Sequence, residues 1–160
     1  MRSIDHEHLI FVVDSKEWKT TSSDYLPGGI ASVIFSKCSP LINKKGVKQG
    51  WLGNWIAVPM QYKNKRIEVI NLYRIPSSSS NGVCCSLTQY NRIDGAMNTL
   101  TKYRKEIFKE ILDHIKNNPE INDIIIGGDY NQYLNDNEVK RFHEDLEVFE
   151  VHPIVNGVPI

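Results

Sequence analysis

Three cysteines among 160 residues, two of them adjacent at Cys84 and Cys85, cannot build a disulfide framework. They also lack the paired spacing of a structural zinc site, so a reducing compartment is expected. No apolar run reaches the length needed to span a bilayer, which leaves the membrane out of the expected partners. The stretch around Asp5, His6 and Glu7 has no continuous apolar region and does not read as a secretory signal. The expectation is a soluble intracellular protein, nuclear or cytoplasmic, and not secreted. Net charge is absent too: 19 Lys and Arg balance 19 Asp and Glu, so no global field draws the chain to nucleic acid, and any polyanion must be held locally. Repeats at a fixed period are missing, which excludes solenoids and propellers.

What remains, at 41% hydrophobic and 24% charged residues, suits one globular domain over 1–160. The short serine-rich patch from Ser77 to Ser80, followed by Asn81 and Gly82, reads as a loop within that domain. Short β-branched or apolar runs at Ile30 to Phe35, Trp55 to Met60 and Ile67 to Tyr73 predict strands. The last is nearly continuous in apolar character, as a strand covered on both faces would be. Ser86 and Gln89 have the spacing of a capping box. Tyr103, Ile107, Phe108, Ile111, Leu112 and Ile115 recur at helical spacing until Asn117, Asn118 and Pro119 end the pattern. Ile124 to Ile126 predict another buried strand, Val139, Phe142 and Leu146 a short helix after a cap near Asp136, and Val148 to Val151 one more strand. Strands alternating with helices give an α/β class.

Strand ends are where layered α/β folds hold polar side chains rigidly, and two are informative here. The strand at Ile124 runs into Gly127, Gly128, Asp129, Tyr130 and Asn131. If the backbone stays extended, Asp129 and Asn131 project to one side and address one ligand, while the glycines admit close approach of another backbone. The same residues are also ordinary turn formers. The second end is Tyr73, Arg74 and Pro76, where a phenol and a guanidinium could donate to phosphate oxygens. Lys44, Lys45 and Lys48 form one basic cluster and Lys63, Lys65 and Arg66 another; each could touch a phosphate backbone or lie solvated in a loop. Trp51 and Trp55 could stack on bases, although tryptophan on a strand is more commonly core. The five histidines, His6, His8, His114, His143 and His152, read as surface or packing residues.

The order of these pieces carries a resemblance. Pro27, Gly28 and Gly29 open a strand, Gly53, Asn54 and Trp55 lead another, Tyr73 and Arg74 end a third, Gln89 stands at a helix start, and Gly128, Asp129, Tyr130 and Asn131 close the series. Together they resemble the endonuclease/exonuclease/phosphatase superfamily, which includes pancreatic deoxyribonuclease. Within it, the chain looks most like the endonuclease domains of non-LTR retrotransposons. The resemblance spans about 25–150, and Gly-Asp-Tyr-Asn matches the family's Gly-Asp-Phe-Asn. It implies a DNase-I-like four-layer α/β sandwich that cleaves phosphodiesters of DNA with Mg²⁺ or Mn²⁺. By position, Asp129 would be the catalytic carboxylate that orients or deprotonates the attacking water and touches the metal. Asn131 would fix that carboxylate and the scissile phosphate, Tyr73 would stand near the phosphorane, and Arg74 would bind substrate. The family's early metal-binding Glu has only Glu7 as a counterpart, and its terminal Ser-Asp-His strand does not occur. On this reading the domain is shortened at both ends: a fragment, a degenerate copy of a mobile-element enzyme, or a reused scaffold. The alternative function is then a catalytically degenerate module that binds a protein partner in a larger complex.

Overall fold

The computed structural model describes residues 9–13, 30–35, 37–50, 53–74, 100–133, 136–147, 154–155 and 158–159. Its centre is a four-stranded sheet. Strand β4 (Trp55–Tyr62) turns through Lys63 and Asn64 into β5 (Lys65–Tyr73), and β3 (Lys48–Gln49) extends the sheet on the far side of β4. These three run antiparallel. β6 (Asp123–Asp129) lies parallel to β5, with Ile67 opposite Asp123 and Tyr73 opposite Asp129. A parallel neighbour requires a crossover, and helix α1 (Leu100–Lys116) lies in that connection. Helix α2 (Asn137–Asp145) follows β6. A separate hairpin pairs β1 (Leu9–Val13) with β2 (Ile30–Ile34), and a small ribbon pairs β7 (Ile154–Val155) with β8 (Val158–Pro159).

Period-two alternation decides what each face of the central sheet buries. Trp55, Ala57, Ile70 and Leu72 face the helices and pack with Tyr103, Ile107, Phe108, Ile111 of α1 and Val139, Phe142 of α2. Ile56 and Val58 point the other way and pack with Ile30 of the hairpin. The helical expectation for 103–115 is therefore met, because each apolar residue in that spacing reaches one core. The short helix near Val139 also forms: Asp136 caps it by accepting a hydrogen bond from the Glu138 N–H. That bond, followed by one from the Gln132 side chain, holds the Asp136 carboxyl below the ordinary aspartate pKa.

Three layers are thus visible: helices, a four-stranded sheet and a two-stranded sheet. The fourth layer expected from the resemblance is not among the described residues. The outer face of the hairpin, where Ile10 stands opposite Val33, is exposed. The capping box at Ser86, the serine patch, Trp51, Cys84, Cys85, Glu7, His6, His8, His152, Pro76 and the strand expected at Val148 to Val151 lie outside the described residues. Among the described residues, no helix is long and apolar enough to cross a membrane.

Candidate active site

Parallel pairing of β5 and β6 sets the last residues of both strands, Tyr73 and Asp129, side by side. Two short approaches fix this end of the sheet. At Gly128 the backbone adopts a φ of 134°, and a Cβ there would fall 1.9 Å from the Leu72 carbonyl oxygen. Only glycine allows β6 to come this close. On the other flank, the buried Asn54 brackets Tyr73. Its main-chain oxygen accepts the Tyr73 N–H at 2.8 Å, and its side-chain amide donates to the Tyr73 carbonyl at 3.1 Å. The Tyr103 hydroxyl in turn donates to Asn54 Oδ1 at 2.8 Å. Burial, then the nearby Glu110 and Tyr73, raise the Tyr103 pKa, which keeps that phenol a donor.

Asp129 and Asn131 do come together, but not by extended alternation. The strand ends at Asp129, and Asn131 takes a left-handed conformation with φ 47°. Asparagine tolerates this region better than most residues. The turn lets the Asn131 N–H donate to Asp129 Oδ1 at 2.8 Å, while the Asn131 side-chain amide donates to the Arg74 carbonyl at 2.6 Å. One carboxylate oxygen is thereby oriented; the other takes no hydrogen bond among the described residues. The turn-forming chemistry of Asp and Asn and their joint presentation prove to be one feature. The carboxylate of Asp129 remains exposed.

Arg74 corrects its expected role. Its side chain is fully buried rather than open to a phosphate. Nε donates to the Arg104 carbonyl at 3.3 Å, Nη1 to Gln132 Oε1 at 2.6 Å and Nη2 to Glu138 Oε2 at 2.5 Å, with the guanidinium 4.3 Å from the centroid of the Phe108 ring. A guanidinium so engaged within the core has no route to substrate. The reason lies in partners that are distant in sequence and supplied by α1, α2 and the loop after β6. Arg104 Nη2 reaches the same Gln132 oxygen at 2.6 Å. Burial first, and the charge on Arg74 second, lower the Arg104 pKa.

The other residues weighed in the sequence take structural places. Lys65 and Arg66 open β5 and Lys63 lies in the turn before them, with Lys65 about 26 Å from Tyr73 at roughly 3.3 Å per residue. Lys65 pairs with Asp123, and Arg66 with Glu120 and Glu68. Trp55 is core, its indole N–H donating to Glu110 Oε2 at 2.8 Å. His114 packs against the Trp55 ring and contacts the buried Glu68 carboxylate at 3.1 Å. His143 meets the Tyr130 hydroxyl at 3.3 Å, so Tyr130 contacts a residue of helix α2. An open groove of about 740 Å³ between α1 and α2, floored by Phe108, Leu112 and Phe142, does not include Asp129.

Sequence reasoning missed Gln132, Arg104, Glu138 and Asn54 as parts of this site. Only Asn54 left a signal, in its position before the Trp55 strand. Among the described residues, no group of three or more His, Cys, Asp or Glu side chains could hold a metal. Asp129 and the Asn131 carboxamide oxygen are hard oxygen donors, and Mg²⁺ commonly takes one or two carboxylates, completing its shell with water and substrate phosphate. The donor set therefore fits such an ion in part.

No family model matches the chain, and no curated protein sequence matches it. Among solved structures, it is similar to Staphylococcus aureus beta toxin. One such structure, a mutant with bound magnesium ions, is 21% identical over 87% of this chain and 47% of the toxin, with a TM-score of 0.49. A β-hairpin deletion mutant of the same toxin is 22% identical over 82% of this chain and 45% of its own, at a TM-score of 0.48. SmcL is 19% identical over 69% of this chain and 35% of its own, at 0.39. The chain spans less than half the length of each.

Proposed function

We propose that the end of the β5–β6 pair is the phosphate-handling site of a divalent-metal-dependent phosphodiester hydrolase of the DNase-I-like class, acting on DNA. The observation that carries this is the pairing of Tyr73 with Asp129 at adjacent strand ends, with Asn131 locked beside them. In this reading Asp129 accepts the proton of the attacking water through Oδ2, and Asn131 holds Oδ1 in place. Tyr73 donates toward the phosphate oxygens as charge gathers on them. Asp129 and the Asn131 carbonyl oxygen would hold the metal, which supplies charge neutralisation at the phosphate. A DNA substrate goes with the sequence resemblance to mobile-element endonucleases and with the intracellular setting expected from the sequence.

A second reading is favoured by one observation: among the described residues, Asp129 belongs to no group of three or more His, Cys, Asp or Glu side chains that could hold a metal. In that reading the layered scaffold survives as a protein-binding module. Nicking of supercoiled plasmid by the purified chain separates the two. The hydrolase reading expects Mg²⁺- or Mn²⁺-dependent nicking that Asp129→Ala lowers by about 10³-fold. Nicking equal in the variant and the parent, or none with either metal, contradicts it.

A further inference from the structure

We propose that Gln132 is the positioning residue of the Asp129–Asn131 pair, acting through a buried clamp centred on Arg74. This rests on the hydrolase reading above and goes beyond it by naming what sets the geometry of that site. Arg74 grips the turn with both ends. Its N–H donates to the Asp129 carbonyl at 2.8 Å, its carbonyl accepts the Asn131 side-chain amide at 2.6 Å, and its guanidinium reaches Gln132 Oε1 at 2.6 Å. Every residue that shapes the turn, apart from Tyr130, is therefore tied to one arginine.

Gln132 is where the grip closes. Its single carbonyl oxygen accepts from two guanidiniums, those of Arg74 and Arg104, each at 2.6 Å. Two cations brought so near repel one another, and the amide dipole between them offsets part of that cost. The Gln132 side chain also hydrogen-bonds Asp136, the residue that caps α2, while Glu138 in the first turn of α2 pairs with Arg74. Residue 132 is thus fixed from the sheet side, from α1 and from α2 together.

Fixing residue 132 fixes the peptide that follows Asn131. Asn131 sits at φ 47°, a left-handed conformation that asparagine tolerates but that leaves extended backbone as the common alternative. In this turn its N–H donates to Asp129 Oδ1 while its side-chain amide donates to the Arg74 carbonyl. Without the Gln132 anchor, the turn can relax toward extended backbone, and the carboxylate loses the donor that aims it. Gln132 itself touches neither metal nor substrate.

The test uses two variants of the full chain. Gln132→Met keeps the volume and removes every side-chain polar contact; Gln132→Glu keeps an acceptor for both guanidiniums, with charge-assisted bonds, and gives up only the bond to Asp136. Plasmid nicking with Mg²⁺ should show kcat reduced about a hundredfold in Gln132→Met, KM within about twofold of the parent, and most of kcat regained in Gln132→Glu. Unchanged kcat in Gln132→Met, or Gln132→Glu as poor as Gln132→Met, overturns the proposal. The side-chain amide resonances of Asn131, read by NMR without metal, decide it independently of catalysis. They should shift in Gln132→Met and return toward the parent positions in Gln132→Glu; unmoved resonances overturn the clamp. A parent chain that does not nick removes the hydrolase reading, and the NMR shifts by themselves then decide whether Gln132 holds the turn.

Discussion

Gly128→Ala is expected to destabilise the chain by about 4 kcal/mol, against an ordinary domain stability of roughly 5–15 kcal/mol. The cost has two sources. The added Cβ would lie 1.9 Å from the Leu72 carbonyl oxygen, and that obstacle is backbone, not the tip of a mobile side chain. Leu72 cannot retreat, because it is buried against Trp55 and α1 and paired with both neighbouring strands. The φ of 134° at Gly128 adds a conformational penalty for any L-residue. The end of β6 would have to leave β5, taking with it the bond from Arg74 N–H to the Asp129 carbonyl. Gly127→Ala is the internal control: a Cβ there meets nothing within 4 Å, so its effect should stay small. Urea unfolding of both variants checks the pair.

Arg74→Met should cost about 3 kcal/mol, measured the same way. Methionine retains apolar bulk against Phe108 but none of the three donors. Glu138 loses its ion-pair partner, and the Arg104 carbonyl loses its side-chain donor. Gln132 keeps only one guanidinium. Arg74→Lys should recover a minor part, because a compact ammonium cannot span three acceptors set around a planar fork. An arginine facing solvent and substrate, as its place after a strand suggests, would instead give a variant of parental stability.

That contrast shows where sequence legibility ends. The strands at Trp55, Ile67 and Ile124 and the helices at Tyr103 and Val139 are readable because burial imposes its period on the chain, and the core uses those same residues. The nearly continuous apolar run of β5 marks a central strand, flanked by β4 and β6 and covered on both faces. Arg74 is unreadable because its partners Gln132 and Glu138 lie 58 and 64 residues away, and a charge can enter a core only when such partners assemble. Glu68, buried within β5 beside Arg66 and His114, is hidden from sequence for the same reason. At the candidate site, Asp129 and Asn131 of the Gly-Asp-Tyr-Asn motif are brought together, but by a different backbone from the one expected. Period-two reasoning assumes an extended chain, whereas Asn131 turns back to bond Asp129. β3, only two residues long with one polar and one charged side chain, carries no pattern to read.

The central claim is that the ends of β5 and β6 together form a divalent-cation and phosphate site centred on Asp129. Paramagnetic broadening of amide NMR signals by substoichiometric Mn²⁺ tests it most directly, since it reports where the ion sits without requiring turnover. The signals of Asp129, Tyr130, Asn131 and Tyr73 should disappear first, and Asp129→Ala should abolish that pattern. Broadening centred on the acidic residues of the α1–α2 groove, such as Asp113 and Asp145, or spread evenly over surface carboxylates, would contradict it.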